Sequence, residues 1–89
     1  MKIETVYADK VFAFLLELEV AAKSSGDSSL LSRILTAKAF YTMPVTSEFL
    51  GESMQTMKEA LEVNRETLSP DQRELAGAYI TAIKKQWFS

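Results

Sequence analysis

Three clusters of polar and helix-breaking residues divide this sequence into four segments, and that division is the strongest constraint on its fold. The clusters cover residues 23–29, 42–47 and 65–71, and both prolines, Pro44 and Pro70, lie inside them. Because proline is excluded from helix interiors, the segments between the clusters can all be helical. No stretch alternates apolar and polar residues as a half-buried strand does. With 89 residues available, we predict one helical domain over residues 1–89.

Each segment carries apolar residues at helical spacing. We predict helices over about residues 5–24, from Asp27 or Ser28 to about 42, over about 47–64, and from Pro70 nearly to the last residue. Ser69, Pro70 and Gln72 mark the fourth start most clearly, because they match an N-cap, a first-position proline and a capping box. Short connections favour antiparallel neighbours, so the expected fold is all-α, a small antiparallel four-helix bundle or a close variant. Each segment has a predicted core face. In the first and second segments the faces are Tyr7, Val11, Phe14, Leu15, Leu18 and Ala22, and Leu30, Leu31, Ile34, Leu35, Ala37 and Tyr41. In the third and fourth they are Leu50, Met54, Met57 and Leu61, and Leu75, Ala76, Tyr79, Ile80, Ile83 and Trp87.

The first segment has a second apolar stripe on the side opposite its core face. Phe12, Leu16 and Val20 recur every four residues there, and a helix that is apolar on two sides needs a neighbour on each. The helix could lie centrally in the bundle, with both sides covered within the chain. Alternatively, the second stripe binds another molecule. We expect a protein interface, with a partner protein or as a homodimer, whose anchors are Phe12, Leu16, Val20, Trp87 and Phe88.

The residue types present leave little room for catalysis. The sequence contains no histidine and no cysteine, which removes the commonest general base, the commonest zinc ligand and the thiol nucleophile. The glutamates of the third segment are typical of a solvated helix face. We therefore expect a protein that is not an enzyme and that has no catalytic, metal-binding or cofactor-binding residues.

Charge and hydropathy restrict the partners further. The formal net charge of −2 provides no long-range attraction to a polyanion, so we expect no nucleic acid and no membrane as partner. The longest apolar stretch, residues 11–16, is far shorter than a bilayer requires. Met1 and Lys2 precede a mixed polar segment rather than the apolar region of a secretory signal. We expect a cytoplasmic location.

Two further functions are consistent with parts of the sequence. The segment from Gly26 to Leu31, Gly-Asp-Ser-Ser-Leu-Leu, resembles the motif of the carrier proteins of fatty-acid and peptide synthesis. Those carriers are small acidic four-helix bundles, and the resemblance implies a phosphopantetheine arm on Ser28 or Ser29. The same residues also suit a helix end followed by an N-cap. A helix-turn-helix nucleic-acid binder is the other alternative, although its recognition helix would be mainly acidic.

Overall fold

Four α-helices make up most of the chain, as predicted. The structure is a computed structural model that describes residues 3, 5–42 and 45–88. The helices are α1 (Ala8–Ser25), α2 (Ser28–Ala39), α3 (Thr46–Val63) and α4 (Pro70–Trp87), with short 3-10 helices at Phe40–Thr42 and Arg65–Thr67. Each helix packs on the next in the chain. The predicted all-α four-helix fold is confirmed.

Local chemistry determines where α1 ends and where α2 and α4 begin. Gly26 terminates α1 with a φ of 72°, in the left-handed region where glycine avoids the penalty of a Cβ. Asp27 caps α2 by accepting a hydrogen bond from the Leu30 amide at 3.1 Å. Ser69 and Gln72 form the predicted capping box at the start of α4.

Residues 5–7 are not helical, so α1 begins three residues later than predicted. Val6 is buried, and its amide donates to the Gln86 side chain at 2.8 Å. The Gln86 amide group returns a hydrogen bond to the Val6 carbonyl at 3.4 Å. Tyr7 follows in an extended conformation and is 59% exposed. The prediction that Tyr7 belongs to the core is therefore wrong.

The central helix of the bundle is α3, which packs on all three other helices, whereas α1 packs mainly on α2. The buried face of α3 is broader than the single stripe predicted for it and comprises Phe49, Leu50, Ser53, Thr56, Met57 and Ala60. The core draws buried residues from every helix. Because α1 lies at the side of the bundle, Leu16 and Val20 of its second apolar stripe remain partly exposed.

Besides Tyr7, three residues predicted for the core are substantially exposed: Leu35 at 48%, Tyr41 at 38% and Trp87 at 40%. Leu35 lies one residue, or about 100° of helix, beyond the buried Ile34, which directs it away from the core. Tyr41 lies in the 3-10 turn after α2 ends at Ala39, so the predicted helical register does not reach it. Trp87 is the last residue of α4.

Candidate interaction surface

Phe12, the first member of the second α1 stripe, packs against aromatic side chains of the chain. Its ring stacks on Tyr41, with the ring centroids 4.2 Å apart, and lies 6.4 Å from the ring of buried Phe49. The Lys38 ammonium lies 5.8 Å from the centroid of the Phe12 ring, within the range of a cation–π contact. Phe12 therefore joins α1 to the end of α2 and is partly buried.

Leu16 and Val20 remain exposed, at 42% and 65%. Between α1 and α2, Glu19 accepts a hydrogen bond from Lys38 at 2.5 Å. Leu16 and Leu35 each precede one member of this pair by three residues, and side chains three or four positions apart are neighbours on a helix surface. The ion pair thus spans the groove between the helices, with aliphatic side chains beside it on both. We call the surface formed by Ala13, Leu16, Val20 and Leu35 the α1–α2 face.

The carboxylate in the groove of the α1–α2 face, that of Glu19, is paired with two lysines. Hydrogen bonds from Lys38 and, to a lesser degree, from Lys23 lower the pKa of the Glu19 carboxyl, and burial opposes them. The Lys23 ammonium lies 3.0 Å from Glu19. Glu19 is therefore ionised at neutral pH, and its negative charge offsets the positive charge of Lys38 within the groove.

The structure describes every residue of α2, and no charged residue lies on the exposed side of this helix. Both of its charged residues are half-buried and point inward: Arg33 lies 3.0 Å from Glu59, and Lys38 binds Glu19. Depletion of charge, more than apolar content, distinguishes the centre of a protein interface from ordinary surface. The exposed residues of α2 are Ser28, Ser29, Ser32, Leu35, Thr36 and Ala39.

Phe88, which follows Trp87 at the end of α4, lies apart from this face. A side-chain carbon at Gly51 would be 3.4 Å from Cζ of Phe88, so the Phe88 ring covers the glycine on α3. Phe88 and Phe40 help to line a shallow depression of about 360 Å³ there. Phe49 and Gly51 project about 160° apart on α3, so the Phe88 ring and Phe12 contact different sides of that helix. The structure brings Leu16 and Val20 together and separates them from Phe88.

A polar network that the sequence analysis did not identify ties α2 to the connection between α3 and α4. The Asp27 carboxylate accepts hydrogen bonds from Asn64 Nδ2 at 3.0 and 2.9 Å and from Thr67 Oγ1 at 2.7 Å. Arg33 donates to the Oδ1 of the same asparagine. The Thr67 hydroxyl and then the Leu30 amide are the largest causes that lower the pKa of Asp27. No local sequence signal indicates that residues 37 and 40 positions away would meet this carboxylate.

The two alternative functions, carrier protein and nucleic-acid binder, concern the start of α2 and the helix α3. Ser28 and Ser29 are both exposed in the first turn of α2, and the Ser29 hydroxyl is 3.4 Å from Asn64 Nδ2. The engagement of Asp27 gives the Gly-Asp-Ser segment a structural role, and attachment of an arm to either serine stays a prediction. Nucleic-acid binding by α3 also stays a prediction.

Neither a metal-binding cluster among the described residues nor a similar known protein indicates a function. Within residues 3, 5–42 and 45–88, no three acidic side chains converge as metal ligands. In the same part of the chain, each helix lacks the length or the apolar character needed to cross a bilayer. Comparisons with protein-family models, curated proteins and solved structures give no match.

Proposed function

We propose that this protein is a small non-catalytic interaction module that binds another protein chain through the α1–α2 face. One observation carries the proposal: Leu16, Val20 and Leu35 are exposed at 42%, 65% and 48%, and both charged residues of α2 are paired with neighbouring helices. Removing such apolar surface from water is favourable by about 25 cal/mol per Å². A face of this kind suits a regulator, adaptor, immunity or chaperone-like factor that acts by occupying its partner.

The scaffold under the face favours binding because it is already ordered. The Phe12–Tyr41 stack and the Glu19–Lys38 ion pair both cross from α1 to the end of α2. These contacts hold the two helices in one relative position before a partner arrives. A preorganised surface loses little conformational freedom on association, so more of the free energy of burial remains as affinity.

The test replaces the exposed aliphatic side chains without disturbing the core. Leu16→Gln combined with Val20→Gln removes most of the exposed apolar area of α1 and retains good helix formers. The matched control is Val63→Gln, since Val63 is 69% exposed at the end of α3, away from the face. Each protein is immobilised, and partners are captured from extracts of the native cells by cross-linking.

We expect wild type and Val63→Gln to capture the same partner and the double variant to lose it. Far-ultraviolet circular dichroism should show equal helix content in all three, because the replaced side chains contribute little to the core. Equal capture by the folded double variant would refute the proposal.

A further inference from the structure

The outer face of α1 carries a complete heptad stripe that is exposed along its whole length. Its members are Asp9, Ala13, Leu16, Val20 and Lys23. The successive spacings of four, three, four and three residues are those of a coiled-coil seam. At 100° per residue, the five side chains lie within about 80° of the helix circumference. A seam of this kind is normally covered by another helix.

The charges of the stripe are arranged antisymmetrically about its centre. Asp9 lies seven residues before Leu16 and Lys23 lies seven residues after it, which is about 10.5 Å in each direction along the helix. If a second α1 packs in the reverse direction about Leu16, each Asp9 faces a Lys23 of the other copy. A parallel copy would instead set aspartate against aspartate and lysine against lysine. The charges therefore complement an antiparallel copy of the same helix.

We propose that the partner on the α1–α2 face is a second copy of this chain, with the two α1 helices antiparallel around a twofold axis beside Leu16. This inference rests on the proposed function and identifies the partner. Each protomer then contributes the same surface patch to the interface, as a twofold axis requires. On the α2 side, the uncharged exposed residues meet their own copy without like-charge repulsion, whereas a strongly charged partner would find no counter-charge there.

The Glu17 side chain disfavours the antiparallel dimer. Glu17 is exposed and projects about 100° from Leu16 on α1, at the edge of the seam and close to the twofold axis. Its symmetry mate would therefore be a like-charged neighbour. Because the position is at the solvated rim, the repulsion is partly screened. Glu17→Gln should consequently tighten the dimer about twofold to fivefold.

The experiment that tests self-pairing is a charge exchange, measured by sedimentation velocity from about 1 to about 300 µM. Wild type should change from monomer to dimer over this range. Asp9→Lys alone and Lys23→Asp alone should each weaken the dimer roughly tenfold, because each turns two symmetric attractions into repulsions. The combined variant restores both attractions and should recover the wild-type dimerisation constant. Lys58→Asp, at an exposed position of α3, is the matched control and should change nothing.

Recovery in the combined variant cannot arise from a more stable helix. Asp9 lies in the first turn of α1 and Lys23 in the last, where each interacts favourably with the helix dipole. Exchanging them places both charges at the unfavourable ends and also removes the Lys23–Glu19 pair. The exchange therefore weakens α1 itself, so restored dimerisation would report on the contact between copies.

The outcomes separate self-pairing from the proposed function. A dimer weakened by each single reversal and restored by the pair supports the inference. A wild type that is monomeric up to about 300 µM, or a dimer that survives Leu16→Gln with Val20→Gln, overturns it. If wild type is monomeric and the capture experiment still shows a partner that the glutamine variant loses, self-pairing is refuted while the proposed function stands.

Discussion

Asp27 is the residue whose replacement should weaken the fold most clearly through polar contacts. Its carboxylate caps α2 through the Leu30 amide and also accepts hydrogen bonds from Asn64 and Thr67 across the molecule. Asn64 is only 9% exposed, so water cannot readily replace the lost acceptor. Asp27→Ala therefore removes a helix cap and leaves a buried amide group without its main partner.

The two effects have separate magnitudes. Loss of an N-cap side chain costs about 1 kcal/mol. Leaving a buried donor unsatisfied costs about 1 to 3 kcal/mol more. We expect Asp27→Ala to lower the free energy of unfolding by about 2 to 4 kcal/mol, which in a domain of this size corresponds to a fall in Tm of about 10 to 25 °C.

The pH dependence of this contribution has a definite sign. The pKa of Asp27 is lowered in the folded protein, first by the Thr67 hydrogen bond and then by the Leu30 amide. A carboxyl group with a depressed pKa stabilises the fold above its unfolded pKa of about 4, and the contribution is lost as the pH falls through the folded pKa. The stability difference between wild type and Asp27→Asn should accordingly be present at pH 7 and shrink below about pH 4.

Urea unfolding followed by circular dichroism measures both quantities. Ser28→Ala is the matched control, because Ser28 is exposed in the same helical turn and should change stability by no more than about 0.5 kcal/mol. A loss below about 1 kcal/mol for Asp27→Ala would mean that only the cap matters. The network to Asn64 would then contribute nothing to the connection between α2 and α3.

Two substitutions should stabilise the protein. The Ser53 hydroxyl is buried and has no hydrogen-bond partner among the described residues, so Ser53→Ala should raise the free energy of unfolding by about 1 kcal/mol; an unchanged or lower urea midpoint would contradict this reasoning. Gly77 lies inside α4, and an added Cβ there would meet no atom within 4 Å. Gly77→Ala should therefore add about 0.5 to 1 kcal/mol, and a Tm that does not rise in a thermal melt would refute it.

The sequence was sufficient to predict the number of helices and several of their ends. The signals at Gly26, Asp27 and Ser69 act on backbone groups within about four residues. The sequence therefore places each signal next to the group that it caps. The same holds for the apolar periodicity of α3 and α4, which identifies a buried face before any neighbour is known. These features are local, and a linear pattern can express them.

Tertiary structure decided which faces are actually covered. Periodicity showed that α1 is apolar on two sides, but it could not show that α3 takes the central position and leaves Leu16 and Val20 exposed. Before α1, the backbone of Val6 is hydrogen-bonded to Gln86, 80 positions away, and the Asp27 network depends on residues 37 and 40 positions away. Burial and long-range hydrogen bonds depend on which helices meet in space. The sequence alone therefore determined the helices and their amphipathic character, and only the packing determined which apolar residues remain available to a partner.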